Sequence, residues 1–472
     1  MGKLFDEIEK LSGDSYPFHM PGHKREALGN GAFFEALYSN DLTEITGSDD
    51  LHKPEGIIKD AMDRAAALYG SKHTFFLING STAGILAGIS AALRSGETLL
   101  MMRGSHMSAY HAAVLRHLKV RFIYGETSAI SKAAKGVSAE EVERALDSYP
   151  ETRAVFITSP TYEGYSCDIR AIADVVHKRN IPLIVDAAHG AHFGFSPDFP
   201  ESAVQAGADI VIMSLHKTLP SLTQTALLHL NGDLVKEENV QKYLTVYQSS
   251  SPSYILMASI DECVRLVSDM RESDWRDFYE RRRELSDKLS DLKHIYIEDH
   301  FSCSGAEVKT DIPEPGKMIV MPENRRDGVR LANYLRSRYH IESELAVPAY
   351  LLLIFTVSDS RKNLEVLSDA LHRADEEYKE WMTEGDKAPV EVRKNTENPA
   401  VMEMWEAFDA EGESVDPENA CGRISASFVT VYPPGRPALI PGEKISSEAL
   451  LEVMEAEEEG CEIRGHLRAV VE

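Results

Sequence analysis

No run of apolar residues in this 472-residue chain is long enough to cross a bilayer, which takes about twenty; the stretch around 85–93 falls well short. Positive charge is also scarce. Seventy-six acidic residues stand against 50 Lys and Arg, a formal net charge of −26, which excludes nucleic acid and anionic membrane as partners because both need basic patches. An acidic surface enriches cationic solutes, although its plainest service is solubility. Cysteine is sparse: Cys167, Cys263, Cys303, Cys421 and Cys461 form an odd, unpatterned set without CxxC spacing. Reduced thiols and a cytoplasmic setting are therefore expected, with no disulfide framework and no metal site. The opening residues lack a basic start followed by an apolar core, so no signal peptide is expected. Internal repeats and low-complexity tracts are absent.

What is present is an ordinary globular composition, 43% apolar, in a chain long enough for two or three domains and one large core. From residue 57 strand and helix patterns alternate. Short apolar, β-branched runs predict strands at 74–78, 98–102, 120–124, 154–158, 183–185, 210–213 and 226–230. Helical patterns fall at 61–69, 83–93, 138–146 and 169–179, and the second is so apolar that burial is expected. The alternation predicts an α/β unit with a mainly parallel sheet and helices on both faces. A long helical stretch after 249 leads to a smaller α/β unit with strands near 317–321 and 351–357. A charged connection follows at 376–399, and then a third unit. The expected division is 1–56, an N-terminal segment reaching the active site; 57–260, the large domain; 261–382, the small domain; and 383–472, a C-terminal α+β domain. The acidic run at 455–459 reads as a solvated helix face.

Lys217 is the most informative residue. It follows the run Ala208-Asp209-Ile210-Val211-Ile212 at the sheet edge where open α/β folds bind ligands. The strand Ile181-Pro182-Leu183-Ile184-Val185 delivers Asp186 to the same edge. An amine and a carboxylate so arranged suit pyridoxal 5'-phosphate (PLP): the amine forms an imine with the aldehyde, and the carboxylate faces the pyridinium nitrogen. Ser81, Thr82 and Ala83, between a strand and an apolar helix, offer backbone amides and hydroxyls to a phosphate; an ordinary helix cap is the competing reading. Ser214 and His216 flank Lys217 and are candidates for the same phosphate. Ala188 is small enough to lie beneath the ring. His189 is either a substrate contact or a core histidine. His106, on a βα loop, is placed to stack on the ring, and Thr158-Ser159-Pro160-Thr161-Tyr162 could offer a hydroxyl to the ring 3′-oxygen.

Several motifs together resemble the Orn/Lys/Arg decarboxylases: Phe18-His19-Met20-Pro21-Gly22-His23-Lys24, Asp49-Asp50-Leu51-His52, Asn79-Gly80-Ser81-Thr82-Ala83-Gly84, Val185-Asp186-Ala187-Ala188-His189-Gly190-Ala191-His192, Ser214-Leu215-His216-Lys217-Thr218-Leu219 and Tyr432-Pro433-Pro434-Gly435. The resemblance covers nearly the whole chain in order. It implies the aspartate-aminotransferase-like fold (PLP fold type I) with a seven-stranded sheet, and a short form lacking the extra N-terminal domain of the large inducible enzymes. It also implies Lys217 as the Schiff-base lysine, Asp186 as the pyridinium partner and His106 as the stacking residue, with Ser81, Thr82, Ser214 and His216 on the phosphate. A homodimer or higher even oligomer is implied as well. The chain departs from the family pattern at Gly104, Met107, Ser159 and Ala187, all around the ring.

The expected reaction is α-decarboxylation of arginine, lysine or ornithine, with His106 or Lys217 returning a proton to the α-carbon. A basic side chain needs an acidic partner, for which Asp49, Asp50 and Glu163 are candidates. Two alternatives stay open: another PLP reaction (transamination, oxidative deamination or elimination) on a basic amino acid, and a non-catalytic paralogue that regulates an active partner.

Overall fold

The computed structural model describes residues 16–24, 41–302, 313–382, 398–432, 436–458 and 461–471. Cys303, Pro433-Pro434-Gly435 and most of the charged connection after 382 lie outside them.

The strands in chain order are β1 (Tyr16–Phe18), β2 (His73–Leu77), β3 (Thr98–Met102), β4 (Lys119–Ile123), β5 (Thr152–Thr158), β6 (Leu183–Asp186), β7 (Ile210–Ser214) and β8 (Ala226–Leu230). The last seven form one sheet in the order β2-β8-β7-β6-β5-β3-β4. Every pair is parallel except the two made by β8. Strands β3, β7 and β8 are buried at every residue, which is why they read as continuous apolar runs rather than alternating ones.

The helix Gly80–Ala92 lies against this sheet. Its glycines permit the close approach: a Cβ on Gly84 would sit 2.6 Å from Leu77 Cδ1 and 3.0 Å from Ile212 Cγ2. The opposite face is covered by helices such as Ile169–His177, whose Ile172 and Val176 are fully buried.

The predicted long helical stretch is two helices, Tyr254–Asp269 and Glu272–Lys288, followed by a short 3-10 turn. Beyond it, β9 (Ile295–Asp299), β10 (Lys317–Pro322), β11 (Ile341–Ser343), β12 (Leu345–Val347) and β13 (Tyr350–Ile354) follow. A four-stranded sheet in the order β12-β13-β10-β9 is antiparallel throughout. The helices Gly328–Tyr339 and Arg361–Glu376 accompany it. Strand β1 pairs in parallel with β11 in a separate two-stranded sheet, which ties the N-terminal segment to this part of the chain.

The chain ends in small antiparallel sheets and the helix Ser447–Glu458, which buries Ala449, Leu450 and Ala456. Glu455, Glu457 and Glu458 are exposed, as expected of a solvated acidic face. The four described cysteines are all free. No described helix is long and apolar enough to cross a membrane.

Candidate active site

The carboxyl ends of β2, β3, β5, β6 and β7 converge on one edge of the large sheet. Lys217 sits in a single helical turn, Leu215–Thr218, immediately after β7. Its Nζ lies 3.1 Å from His189 Nε2. Loss of solvation pulls the Lys217 amine below the usual lysine range, while Asp186 and Glu344 work against that shift.

Asp186 ends β6 and is buried. Among the described residues its carboxylate accepts one hydrogen bond, from Ala188 N at 3.1 Å. Burial pushes it above the usual carboxylate range, and the Lys217 charge pulls the other way. A buried carboxylate with so little compensation calls for a cationic or N–H partner. Two hydroxyls flanking Lys217 in the chain also lack partners: Ser214 Oγ and Thr218 Oγ1 are buried without a hydrogen bond among the described residues.

His216 gives its Nδ1–H to Thr225 O at 2.9 Å, since a carbonyl only accepts. Its Nε2 can donate only when the ring is protonated; burial holds the ring below the usual histidine range, partly offset by the Thr225 bond, and a bound dianion would raise it again. The helix Gly80–Ala92 starts beside the same turn, with Gly80 N donating to Gln224 O at 2.9 Å. This helix has no side-chain cap, so Ser81 and Thr82 are not spent as its capping residues. First-turn amides, uncapped hydroxyls and unpartnered Ser214 and Thr218 fit a phosphate.

His106 is the N-cap of the helix Met107–Leu115. Its Nδ1 accepts from Ser108 N at 3.2 Å and meets Ser108 Oγ at 2.8 Å, which assigns the ring proton to Nε2. The residue keeps access to solvent. Lost solvation and then the nearby Lys217 charge hold it down at about 4. A neutral, flat imidazole suits stacking better than acid catalysis near neutral pH.

The hydroxyls after β5 are already engaged. Tyr162 OH donates to Glu344 Oε1 at 2.6 Å, Ser159 Oγ accepts from Cys167 N at 2.9 Å, and Thr161 Oγ1 donates to Ala134 O at 3.1 Å. Of the acidic candidates, Asp49 is a helix-end anchor. It accepts from Gly56 N, Ile58 N, Asp50 N and Glu55 N. Burial opposes ionisation, but these amides outweigh it and hold the carboxyl at about 2. Asp50 accepts from His52 N at 2.8 Å. Glu163 is buried and takes Tyr350 OH at 3.1 Å.

Of the residues at which the chain departs from the family pattern, Ser159 and Ala187 are buried and Gly104 and Met107 are half-buried. Ala187 belongs to the main core cluster, Met107 Sδ meets Thr430 Oγ1 at 4.0 Å, and Gly104 has only Met102 Cε near its Cβ position.

Sequence reasoning missed Lys317, Glu314 and Glu344. Lys317 Nζ lies 3.0 Å from His189 Nδ1, so His189 stands between two lysines. Glu344 also accepts from Met20 N at 2.9 Å. The N-terminal motif packs against the Lys217 turn: Gly22 N donates to His216 O at 2.6 Å. Lys24 in the same motif is structural. Its buried Nζ donates to Pro17 O, His19 O and Ile354 O.

A profile of the Orn/Lys/Arg decarboxylase major domain matches residues 4–311, and one of the C-terminal domain matches 392–462. The chain belongs to the Orn/Lys/Arg decarboxylases. Among members of this family, the arginine decarboxylase of Halalkalibacterium halodurans is 34% identical over 457 residues, covering 95% of this chain and 91% of the relative. The solved constitutive lysine decarboxylase of E. coli superposes with a TM-score of 0.76 at 18% identity, covering 100% of this chain and 82% of that one. A structure of SPT with PLP internal aldimine gives a TM-score of 0.58 at 15% identity over 77% of this chain and 87% of that one. These likenesses show the fold, which is PLP fold type I. Among the described residues no cluster of three or more His, Cys, Asp or Glu is placed to hold a metal.

Proposed function

We propose that this decarboxylase-family chain removes the α-carboxylate of a basic amino acid with bound PLP, releasing carbon dioxide and the corresponding amine. Arginine is the first candidate, from the name of the relatives at 34% and 32% identity; lysine and ornithine are the others. The observation that carries the reading is the buried Asp186 carboxylate facing a desolvated Lys217 beside two unpartnered hydroxyls.

When bound, the cofactor supplies an aldehyde and an electron-withdrawing ring. Lys217 would hold the aldehyde, and its lowered proton affinity favours the neutral, nucleophilic amine. Asp186 would hold a proton on the ring nitrogen through charge attraction. Ser81, Thr82, Ser214 and His216 would hold the phosphate. His106 would cover one ring face and Ala188 the other. Lys217, once displaced by substrate, is the amine best placed to return a proton to the α-carbon. Glu344 is the carboxylate whose charge reaches both Lys217 and Lys317, and it replaces Asp49 as the acidic candidate at this site. The division at 56, 260 and 382 and a homodimeric or higher even assembly belong to the same proposal.

Product analysis with arginine, lysine and ornithine tests it, with Lys217→Ala as control. Agmatine, cadaverine or putrescine with carbon dioxide is the expected outcome. A keto acid with ammonia or peroxide, or no product at all, contradicts it.

A further inference from the structure

Three nitrogen bases stand in a row: Lys217 Nζ, 3.1 Å from His189 Nε2, and Lys317 Nζ, 3.0 Å from His189 Nδ1. Lys317 opens β10 and is fully buried. Its stem passes under Gly164, where a Cβ would lie 2.5 Å from Lys317 Cγ, and Gly164 has φ +102°. No other residue gives both that backbone turn and that clearance without strain.

The row has a hydrogen-counting constraint. A neutral imidazole has one donor and one acceptor. Two ammonium groups would set a donor against a donor at one ring nitrogen. An imidazolium between them would set three positive charges side by side, and burial, then Lys217 and Lys317, hold His189 well below its usual range. All contacts are satisfied when one lysine is charged and the other neutral. Two such states exist. In one, Lys317 is the ammonium and donates to Nδ1, while Nε2–H donates to a neutral Lys217. In the other, Lys217 is the ammonium and donates to Nε2, while Nδ1–H donates to a neutral Lys317.

We propose that Lys317 is a positioning residue that stores the proton of Lys217, exchanging it through His189. The transfer is balanced. A proton leaves Lys317 Nζ for Nδ1, and the Nε2 proton moves to Lys217 Nζ. The imidazole ends neutral with its tautomer switched. The inference rests on Lys217 being the cofactor-bearing amine.

The surroundings support both ends. Lys317 faces His189, Glu314, Glu344, Lys217 and Lys24; burial, partly offset by Glu314 and Glu344, brings it down to about 8. Glu314 is buried, and its Oε2 meets His192 Nε2 at 3.1 Å and takes Gly316 N at 2.6 Å. Lys217 faces Asp186 and Glu344. His189 also feels His216 and His106. Each end therefore has a carboxylate to receive the charge.

The test uses the full chain freed of cofactor. In ¹⁵N-histidine spectra, with a His189→Phe sample to assign the signal, His189 should be neutral and exchange between its two tautomers in wild type. Lys317→Arg, whose guanidinium cannot give up a proton, should lock it as Nε2–H. Uptake of pyridoxal phosphate, followed by visible absorbance against pH, should show a midpoint raised by about one unit or more in Lys317→Met and not raised in Lys317→Arg. One fixed wild-type tautomer, or a protonated His189, overturns the proposal even if a variant fails to fold. Equal uptake profiles in all three chains overturn it too. If wild type takes up no cofactor at Lys217, the functional reading itself has failed, and the proposal with it.

Discussion

Arg103 and Glu443, 340 residues apart in sequence, meet in a nearly dry ion pair, with Arg103 Nη2 3.3 Å from both carboxylate oxygens. Arg103 follows β3, three residues before His106, and also donates to Tyr110 OH at 3.0 Å. Glu443 takes Ile440 N at 3.1 Å and Asn398 Nδ2 at 3.3 Å. The C-terminal part of the chain thereby grips the loop that presents His106. Removing one member of a buried pair strands the other charge, at a cost of about 3–5 kcal/mol, whereas replacing both with apolar groups is far milder. Glu443→Ala should lower the thermal unfolding midpoint markedly, and Arg103→Met with Glu443→Leu should recover most of the loss. Equal midpoints for the single and double variants would contradict the pairing.

Gly22 is wedged against the Lys217 turn. A Cβ there would lie 2.7 Å from Leu219 N and 2.8 Å from Leu219 O, both backbone atoms with little room to yield. Gly22→Ala should cost about 1–3 kcal/mol and weaken pyridoxal phosphate binding, read as a higher cofactor concentration for half-maximal absorbance. Unchanged cofactor affinity would separate the N-terminal motif from the site.

Asp186→Asn removes the charge proposed to face the ring nitrogen but keeps the side-chain shape. Lys217 remains, so visible absorbance should persist, while turnover of the preferred amino acid falls by at least roughly 10²-fold. Full activity would show that Asp186 is not the ring partner.

Burial sets the response to acid. His229 is fully buried, with Nδ1 2.8 Å from Thr74 Oγ1, and loss of solvation lowers it to about 3 from 6.5. The unfolded chain takes up this proton as pH falls through about 6.5, whereas the folded chain does so only near 3. Stability is therefore full above 6.5 and drains away below it, by roughly 5 kcal/mol for this group once the pH is under 3. His229→Phe should move the acid-unfolding midpoint to lower pH. An unmoved midpoint would exclude His229 as an acid trigger.

Much of this architecture is legible in the sequence. β3 and β8 fall where their apolar runs predict, because both are buried along their whole length and contain no turn residues. The positions of Lys217, Asp186 and Ser214 at the sheet edge were legible because strand ends place them, and a strand end is a local signal. Lys317 was not, because it reaches His189 only through a register set by β9 and β13, 128 residues from its ring partner. A lysine at the head of the apolar run Met318 to Met321 reads as a solvated strand end. The positive-φ Gly164 that lets it inside carries no mark in sequence. The hydrogen bonds of Asp49 were hidden for a related reason: it serves a helix that starts eight residues later, outside ordinary N-cap spacing.

If Lys217 alone among the lysines carries the cofactor, borohydride reduction of the pyridoxal-phosphate-loaded chain followed by peptide mapping will show it. A reduced pyridoxyl label is expected on the peptide containing Lys217. A label on Lys317 or another lysine, with Lys217 unmodified, would contradict it.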